Sequence, residues 1–149
     1  MTSNFDSIKH SILYADDDPD DLMIIQDAFE KYAENIELIT ACDGVETIQY
    51  LKSLSPLDPA PCLIILDINM PRMSGKEALK EIRDIDRFKN IPIVLFTTSS
   101  LPDDREFALK YNAGFITKPL DSRQITLIAD AFIEHCTDEI KRKIIKRIM

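Results

Sequence analysis

The sequence predicts a doubly wound α/β fold: a five-stranded parallel sheet in the order 2-1-3-4-5, flanked by five helices, with a helical extension at the C-terminus. Three observations carry this. Short apolar runs alternate with segments of helical periodicity along the whole chain. Two of the runs, Cys62 to Leu66 and Ile91 to Phe96, are apolar throughout, as expected of strands covered on both faces. Charge stands where the runs stop: Asp16-Asp17, Asp67 and Lys118. In such a sheet the carboxyl ends of the strands open on one crevice, and right-handed crossovers are nearly obligatory. At 149 residues the chain is about one domain, large enough to bury a real core.

The elements follow in order. Ile12 to Ala15 is the first strand. Asp18-Pro19-Asp20-Asp21 then reads as a helix start, with Asp18 as N-cap, Pro19 at the first helical position and acids along the first turn. Leu22, Ile25, Phe29 and Tyr32 form that helix's apolar stripe. Ile36 to Ala41 is the second strand, and Asp43-Gly44-Val45-Glu46 supplies a turn glycine and a cap acid for a helix carrying Ile48 and Leu51. Pro56, Pro59 and Pro61 stiffen the loop into the third strand, Cys62 to Leu66. Ser74-Gly75-Lys76-Glu77 is a capping box, followed by core positions at Leu79 (or Ala78), Ile82 and Ile85. Ile91 to Phe96 is the fourth strand, Pro102 to Tyr111 a shorter helix, and Gly114 to Thr117 the fifth strand. Asp121 to Gln124 caps a helix with Ile125, Ile128 and Phe132 on its core face. Residues 1–9 read as a tail, 10–136 as the domain and 137–149 as the extension.

Composition excludes several classes of function. A net charge of −8 argues against nonspecific nucleic-acid binding, which needs a basic face. No apolar stretch approaches the roughly 20 residues that span a bilayer, and the first residues lack a signal-peptide pattern. The three cysteines, Cys42, Cys62 and Cys136, are widely spaced, which suggests reduced thiols acting as small buried hydrophobes in a cytoplasmic setting. His10 and His135 stand alone and suggest no metal site.

The strand ends suggest the chemistry. Several carboxylates in one small space repel unless a cation sits among them. Magnesium suits such a site, because it takes hard oxygen ligands and commonly shares them with phosphate. A carboxylate can also attack phosphorus to give an acyl phosphate. Lys118 would then neutralise one phosphoryl oxygen, and a hydroxyl from Thr97 or Thr98 would bind another.

With these residues in place, the chain resembles the receiver domain of two-component response regulators, and is similar to the chemotaxis receiver. The matching residues are Asp16-Asp17, Asp67 with Asn69-Met70-Pro71-Arg72-Met73-Ser74-Gly75 behind it, Thr97, Lys118-Pro119 and the Asp43-Gly44-Val45-Glu46 turn, across about residues 10–136. The resemblance implies a flavodoxin-like fold and a protein that is not a metabolic enzyme. Asp67 would accept a phosphoryl group from a histidine kinase or phosphotransfer protein. Asp17, Asp67 and the Asn69 carbonyl would bind Mg2+, with Asp16 ligating through water. Lys118 and Thr97 would hold phosphoryl oxygens, Lys118-Pro119 would be a cis peptide, and Phe115 would be the aromatic switch coupled to Thr97. The output would be a contact with another protein. The acidic run and the Thr97-Thr98-Ser99 spacing resemble small regulators paired with phytochrome-type kinases.

Two departures stand out. Thr98 replaces the small residue common after the switch threonine, which narrows access to Asp67. Phe115 lacks the hydroxyl of the more common tyrosine. A haloacid-dehalogenase-like phosphatase, the strongest rival, needs an acid two residues past its nucleophile, where this chain has Asn69. A relay or phosphate sink without direct output is a further alternative. Ser74-Gly75-Lys76 lacks the flanking residues of a phosphate loop, and the chain has no room for a DNA-binding domain. The extension carries five basic residues against two acids, with Ile140, Ile144, Ile145 and Ile148 as an apolar stripe. It reads as a solvated helix with one packed face, or as a surface for a homodimer or another partner.

Overall fold

The computed structural model describes residues 9–118 and 121–148. Its strands are β1 (His10–Ala15), β2 (Ile36–Ala41), β3 (Leu63–Leu66), β4 (Ile93–Thr97) and β5 (Gly114–Thr117). They pair in parallel in the order β2-β1-β3-β4-β5, as expected. The helices are α1 (Pro19–Ala28), α2 (Gly44–Ser53), α3 (Gly75–Arg83), α4 (Pro102–Lys110), α5 (Ser122–Ile133) and α6 (Asp138–Ile148).

Alternation along the strands divides the core in two. Ile12, Tyr14, Leu63, Ile65, Val94 and Phe96 face α1, α5 and α6, while Leu13, Ala15, Ile64, Leu66, Ile93 and Leu95 face α2, α3 and α4. The strands β1, β3 and β4 are therefore covered on both sides, which is why β3 and β4 show unbroken apolar runs. Edge strand β5 is only partly buried along its length.

Boundaries shift where local chemistry intervenes. The fourth strand begins at Ile93 rather than Ile91, because Pro92 has no N–H to give a ladder. Helix α1 stops at Ala28, and its stripe continues into a 3₁₀ turn at Glu30–Tyr32 that still buries Tyr32. The caps form as read. Asp18 accepts from the Asp20 N–H, Asp43 from Glu46, and Ser74–Glu77 and Asp121–Gln124 close capping boxes.

In α6, Ile144 is fully buried in the core cluster that holds Phe29 and Phe132, and Ile140 packs against that cluster. Ile145 is 39% exposed, so the helix presents one packed face and one solvated face. The side chain of Ile148 lies outside the described residues. Cys136 is buried as expected and Cys62 partly so, whereas Cys42 departs from expectation and is exposed.

Candidate functional site: an acidic cluster around one lysine

The register of the sheet assembles the site. Ala15 of β1 aligns with Ala41 of β2 and with Leu66 of β3, so Asp16 and Asp67 leave the sheet side by side. The Asp67 N–H bonds the Ala15 carbonyl at 3.0 Å, which fixes that offset. Thr97 pairs with Thr117, and the Lys118 N–H bonds the Thr97 carbonyl at 2.7 Å, bringing Lys118 in from the other side. Gly75 closes the floor. A Cβ there would sit 2.0 Å from the Asp67 carbonyl oxygen, so only glycine lets α3 start this close to β3.

Around Lys118 the charges converge. Its Nζ lies 2.7 Å from Asp16 Oδ2, 2.8 Å from Asp21 Oδ2 and 3.7 Å from Asp67 Oδ2. It also stands 4.9 Å above the Phe96 ring, on the attractive face of the π system. Oxygens of Asp16, Asp17 and Asp67 lie within 4.8 Å of one another. Three carboxylates thus share one ammonium, and Asp17 stands beside two of them. Three of the acids and Lys118 were expected here. Asp21 was read as a helix-dipole residue and is in fact a partner of Lys118, because the first turn of α1 hangs over the strand ends.

Burial and partners give the acids different characters. Asp16 is fully buried. Its Oδ2 accepts from the Tyr14 hydroxyl at 2.5 Å and from Lys118, and its Oδ1 accepts from the Asp18 N–H at 3.0 Å. Its Oδ2 is filled by two donors, while Oδ1 takes only one and keeps a free acceptor site. Asp17 is exposed. Asp67 is 8% exposed, and the nearby backbone N–H groups of Asn69 and Ile68 favour its charged form. Burial pushes the Asp67 carboxyl up to about 6; the nearby Lys118 opposes that rise and Asp16 adds to it. Burial works against the charge of Lys118, but hydrogen bonds to Asp16 and Asp21 outweigh it and raise its pKa. Burial and the bond to Asp16 likewise hold Tyr14 protonated as a donor.

At the fourth strand end the choice between the two threonines resolves by burial. Thr97 is fully buried and its Oγ1 accepts from the Ser99 N–H at 3.2 Å, whereas Thr98 is exposed. A further chain of contacts escaped the sequence reading. Ser99 Oγ donates to Asp104 of α4, and Asp104 pairs with Lys76 of α3 at 2.7 Å. Phe115 lies partly buried in β5 with the Arg105 guanidinium 4.7 Å over its ring. Asn69 is exposed beside Asp67. Pro119, and with it the expected cis peptide after Lys118, lies outside the described residues.

The donor set fits a hard divalent cation. It is all oxygen and predominantly carboxylate, and its excess negative charge is not matched by Lys118 alone.

Comparison with known proteins agrees with this geometry. The response regulator receiver domain family matches residues 12–130. The response regulator Rcp1 of Synechocystis is 35% identical over 95 residues, covering 62% of this chain and 65% of Rcp1. The chain spans only 7% and 15% of two longer curated relatives. Among solved structures, the phosphorylated cyanobacterial phytochrome response regulator RcpA superposes with a TM-score of 0.76 at 28% identity, over 87% of this chain and 98% of RcpA. The Mn2+-bound form of Rcp1 gives a TM-score of 0.73 at 28% identity, over 82% of this chain and 90% of that one. A parallel sheet in this strand order, acids and a lysine at its carboxyl edge, and a family match across most of the chain lead to one conclusion: this chain belongs to the response regulator receiver domain family of two-component signalling.

Proposed function

We propose that the chain is a phosphorylation switch in which Asp67 accepts a phosphoryl group with Mg2+ present, and a protein-binding face responds. The observation that carries this is the placement of Asp67 at the end of β3, 3.7 Å from the buried Lys118 ammonium, within one cluster with Asp16 and Asp17. Asp17, Asp67 and the Asn69 carbonyl would hold the metal directly. Asp16, whose Oδ1 keeps a free acceptor site, would act through water. Bound Mg2+ would offset the negative charge that Asp67 and an incoming phosphoryl group bring together.

The protein's own groups account for the rest. The Asp67 carboxylate attacks phosphorus, a P–O bond forms, and the P–N bond of a phosphohistidine donor breaks, its electron pair staying with the departing imidazole. Lys118 needs only to swing from Asp16 and Asp21 to reach a phosphoryl oxygen, since it already borders Asp67. Thr97 would give up its bond from Ser99 and donate its hydroxyl to another oxygen. Ser99 is tied to Asp104, so that move pulls on α4 and on Arg105, which covers Phe115. The face of α4 and β5 is thereby biased between two packings.

A histidine kinase or phosphotransfer protein fits as donor, and the likeness to RcpA and Rcp1 supports a phytochrome-type kinase. No helix among the described residues is long and apolar enough to cross a membrane, which supports a cytoplasmic setting. The test is a titration of the full chain with Mg2+ and beryllofluoride, followed by amide NMR. Shifts are expected near Asp67, Thr97 and Phe115, and they should require both the metal and Asp67. An unchanged spectrum, or equal shifts in Asp67→Asn, contradicts the proposal.

A further inference from the structure

An unusual piece of backbone lies in the loop from β3 to α3, next in the chain after Asp67. Of the two described non-glycine residues with positive φ, Asn112 is of a type that tolerates it, whereas Arg72, at φ 63°, is not. The Met73 N–H bonds the Pro71 carbonyl at 2.6 Å, which closes a tight, strained turn around Arg72. Such strain persists only where surrounding contacts hold it, and it gathers at functional sites. Here the Arg72 side chain supplies the hold. Its Nε lies 2.8 Å from Asp43 Oδ2 and its Nη2 3.9 Å from Glu46 Oε2, both acids at the start of α2. We propose that Arg72 and Asp43 are positioning residues for the divalent metal: their ion pair fastens the strained turn to α2 and so holds the backbone of Asn69, earlier in the same loop, where its carbonyl can serve as a ligand.

Asn69 lies between two backbone anchors. Before it, the Ile68 carbonyl accepts from the Gly75 N–H at 2.9 Å; after it, the Met73 carbonyl accepts from the Gly44 N–H at 3.0 Å. A Cβ on Gly44 would sit 2.6 Å from that same Met73 oxygen, so α2 and the loop meet backbone to backbone. Between the anchors, the stretch from Asn69 to Arg72 is tied down by the Arg72 side chain. An exposed ion pair alone contributes little. This one differs because the Asp43 side chain is only 6% exposed, and its Oδ1 accepts from the Glu46 N–H at 2.9 Å as the N-cap of α2. One carboxylate thus caps a helix and grips the loop, and its own position is set by the helix. The inference rests on the reading of Asp67 and the Asn69 carbonyl as metal ligands.

Charge and position pull in opposite directions at Arg72. It is a cation on the loop that follows Asp67, so removing its charge would by field alone strengthen Mg2+ binding. If it positions the Asn69 carbonyl, removing it weakens binding instead. Glycine separates strain from the ion pair, because at this position it relieves the positive φ but has no side chain to reach Asp43.

The test is calorimetric titration of the full chain with Mg2+ for wild type, Arg72→Gln, Arg72→Gly, Asp43→Asn and the Arg72→Gln/Asp43→Asn double variant. Arg72→Gln should bind Mg2+ roughly tenfold more weakly, the low end of what supporting contacts around a metal site carry. Arg72→Gly should bind as weakly as Arg72→Gln although it relieves the strain. Asp43→Asn keeps an N-cap acceptor and should also weaken binding, with the double variant no weaker than Asp43→Asn alone. Unchanged or tighter binding in Arg72→Gln overturns the proposal and leaves the metal site standing. Wild-type affinity in Arg72→Gly, or additive losses in the double variant, overturns it as well. A wild type that binds no Mg2+, or binds it equally after Asp67→Asn, overturns the metal site itself and this inference with it.

Discussion

The two edges of one sheet treat charge in opposite ways. At the carboxyl edge, Asp16, Asp21 and Asp67 crowd around Lys118 with Asp17 beside Asp16 and Asp67, and the negative charge exceeds what the lysine can match. At the amino edge, Arg83 has no acid among its partners in the described residues. It donates to the carbonyls of Tyr111 at 2.9 Å, Lys89 at 3.0 Å, Ile91 at 2.7 Å and Asn112 at 3.2 Å. With Lys89, Lys110 and His135 it borders an open hollow of about 710 Å³. One edge leaves charge unsatisfied and so stands ready for a ligand. The other spends its charge on backbone that would otherwise lack partners, and so holds loops in place. Both edges hold cations, and what separates them is the partner each cation finds.

Substitutions at the two edges should therefore fail differently. The largest effect is expected for Lys118→Met. It leaves Asp16 fully buried without its cation and should destabilise the metal-free chain by about 3–5 kcal/mol. Mg2+ should restore much of that loss, which paired urea melts with and without the metal would show. Arg83→Met should cost about 1.5–3 kcal/mol by the same melts, with Mg2+ affinity unchanged. A change in metal affinity there would erase the contrast between the edges.

Proton linkage sharpens the comparison further. Asp67 titrates near 6 in the folded chain against an ordinary value of 3.8. The folded state therefore holds this proton to higher pH than the unfolded state. Metal-free wild type should lose stability relative to Asp67→Asn as pH rises from about 4 to about 6, and the gap should then level off. Mg2+ affinity should move the opposite way, weakening below about pH 6 as the proton competes for Asp67. Calorimetry across that range reads both. The smallest effect is expected for Tyr14→Phe, which removes the 2.5 Å bond to Asp16 and should cost about 1–3 kcal/mol, toward the lower end where Lys118 still satisfies the same oxygen.

The sheet order and the strand ends could be read from the chain because each apolar run stops at a charged or hydroxyl residue, and parallel pairing gathers such ends at one edge. Asp16, Asp67, Thr97 and Lys118 all carry that signal. Asp21 does not, since an acid in a first turn is already explained by the helix dipole, and its reach to Lys118 depends on how α1 crosses the sheet. Tyr14 was hidden inside an apolar run, although its two-residue spacing from Asp16 puts both on one strand face. Ser99, Asp104 and Lys76 are joined across three elements, and no local pattern announces such a link. Arg83 at the end of α3 carries no such signal, because carbonyl acceptors leave no trace in side-chain identity. The start of β4 was misread because Pro92 is apolar and yet cannot join a ladder.

The central claim is that the carboxyl edge is built to take a phosphoryl group on Asp67. Incubation of the chain with acetyl phosphate, with Mg2+ or with a chelator, followed by intact-mass measurement and borohydride trapping, tests it most directly. The structure predicts one added phosphoryl group, dependent on Mg2+, mapped to Asp67 and lost in Asp67→Asn. An unmodified wild-type chain, or a phosphoryl group mapped to another residue, would contradict it.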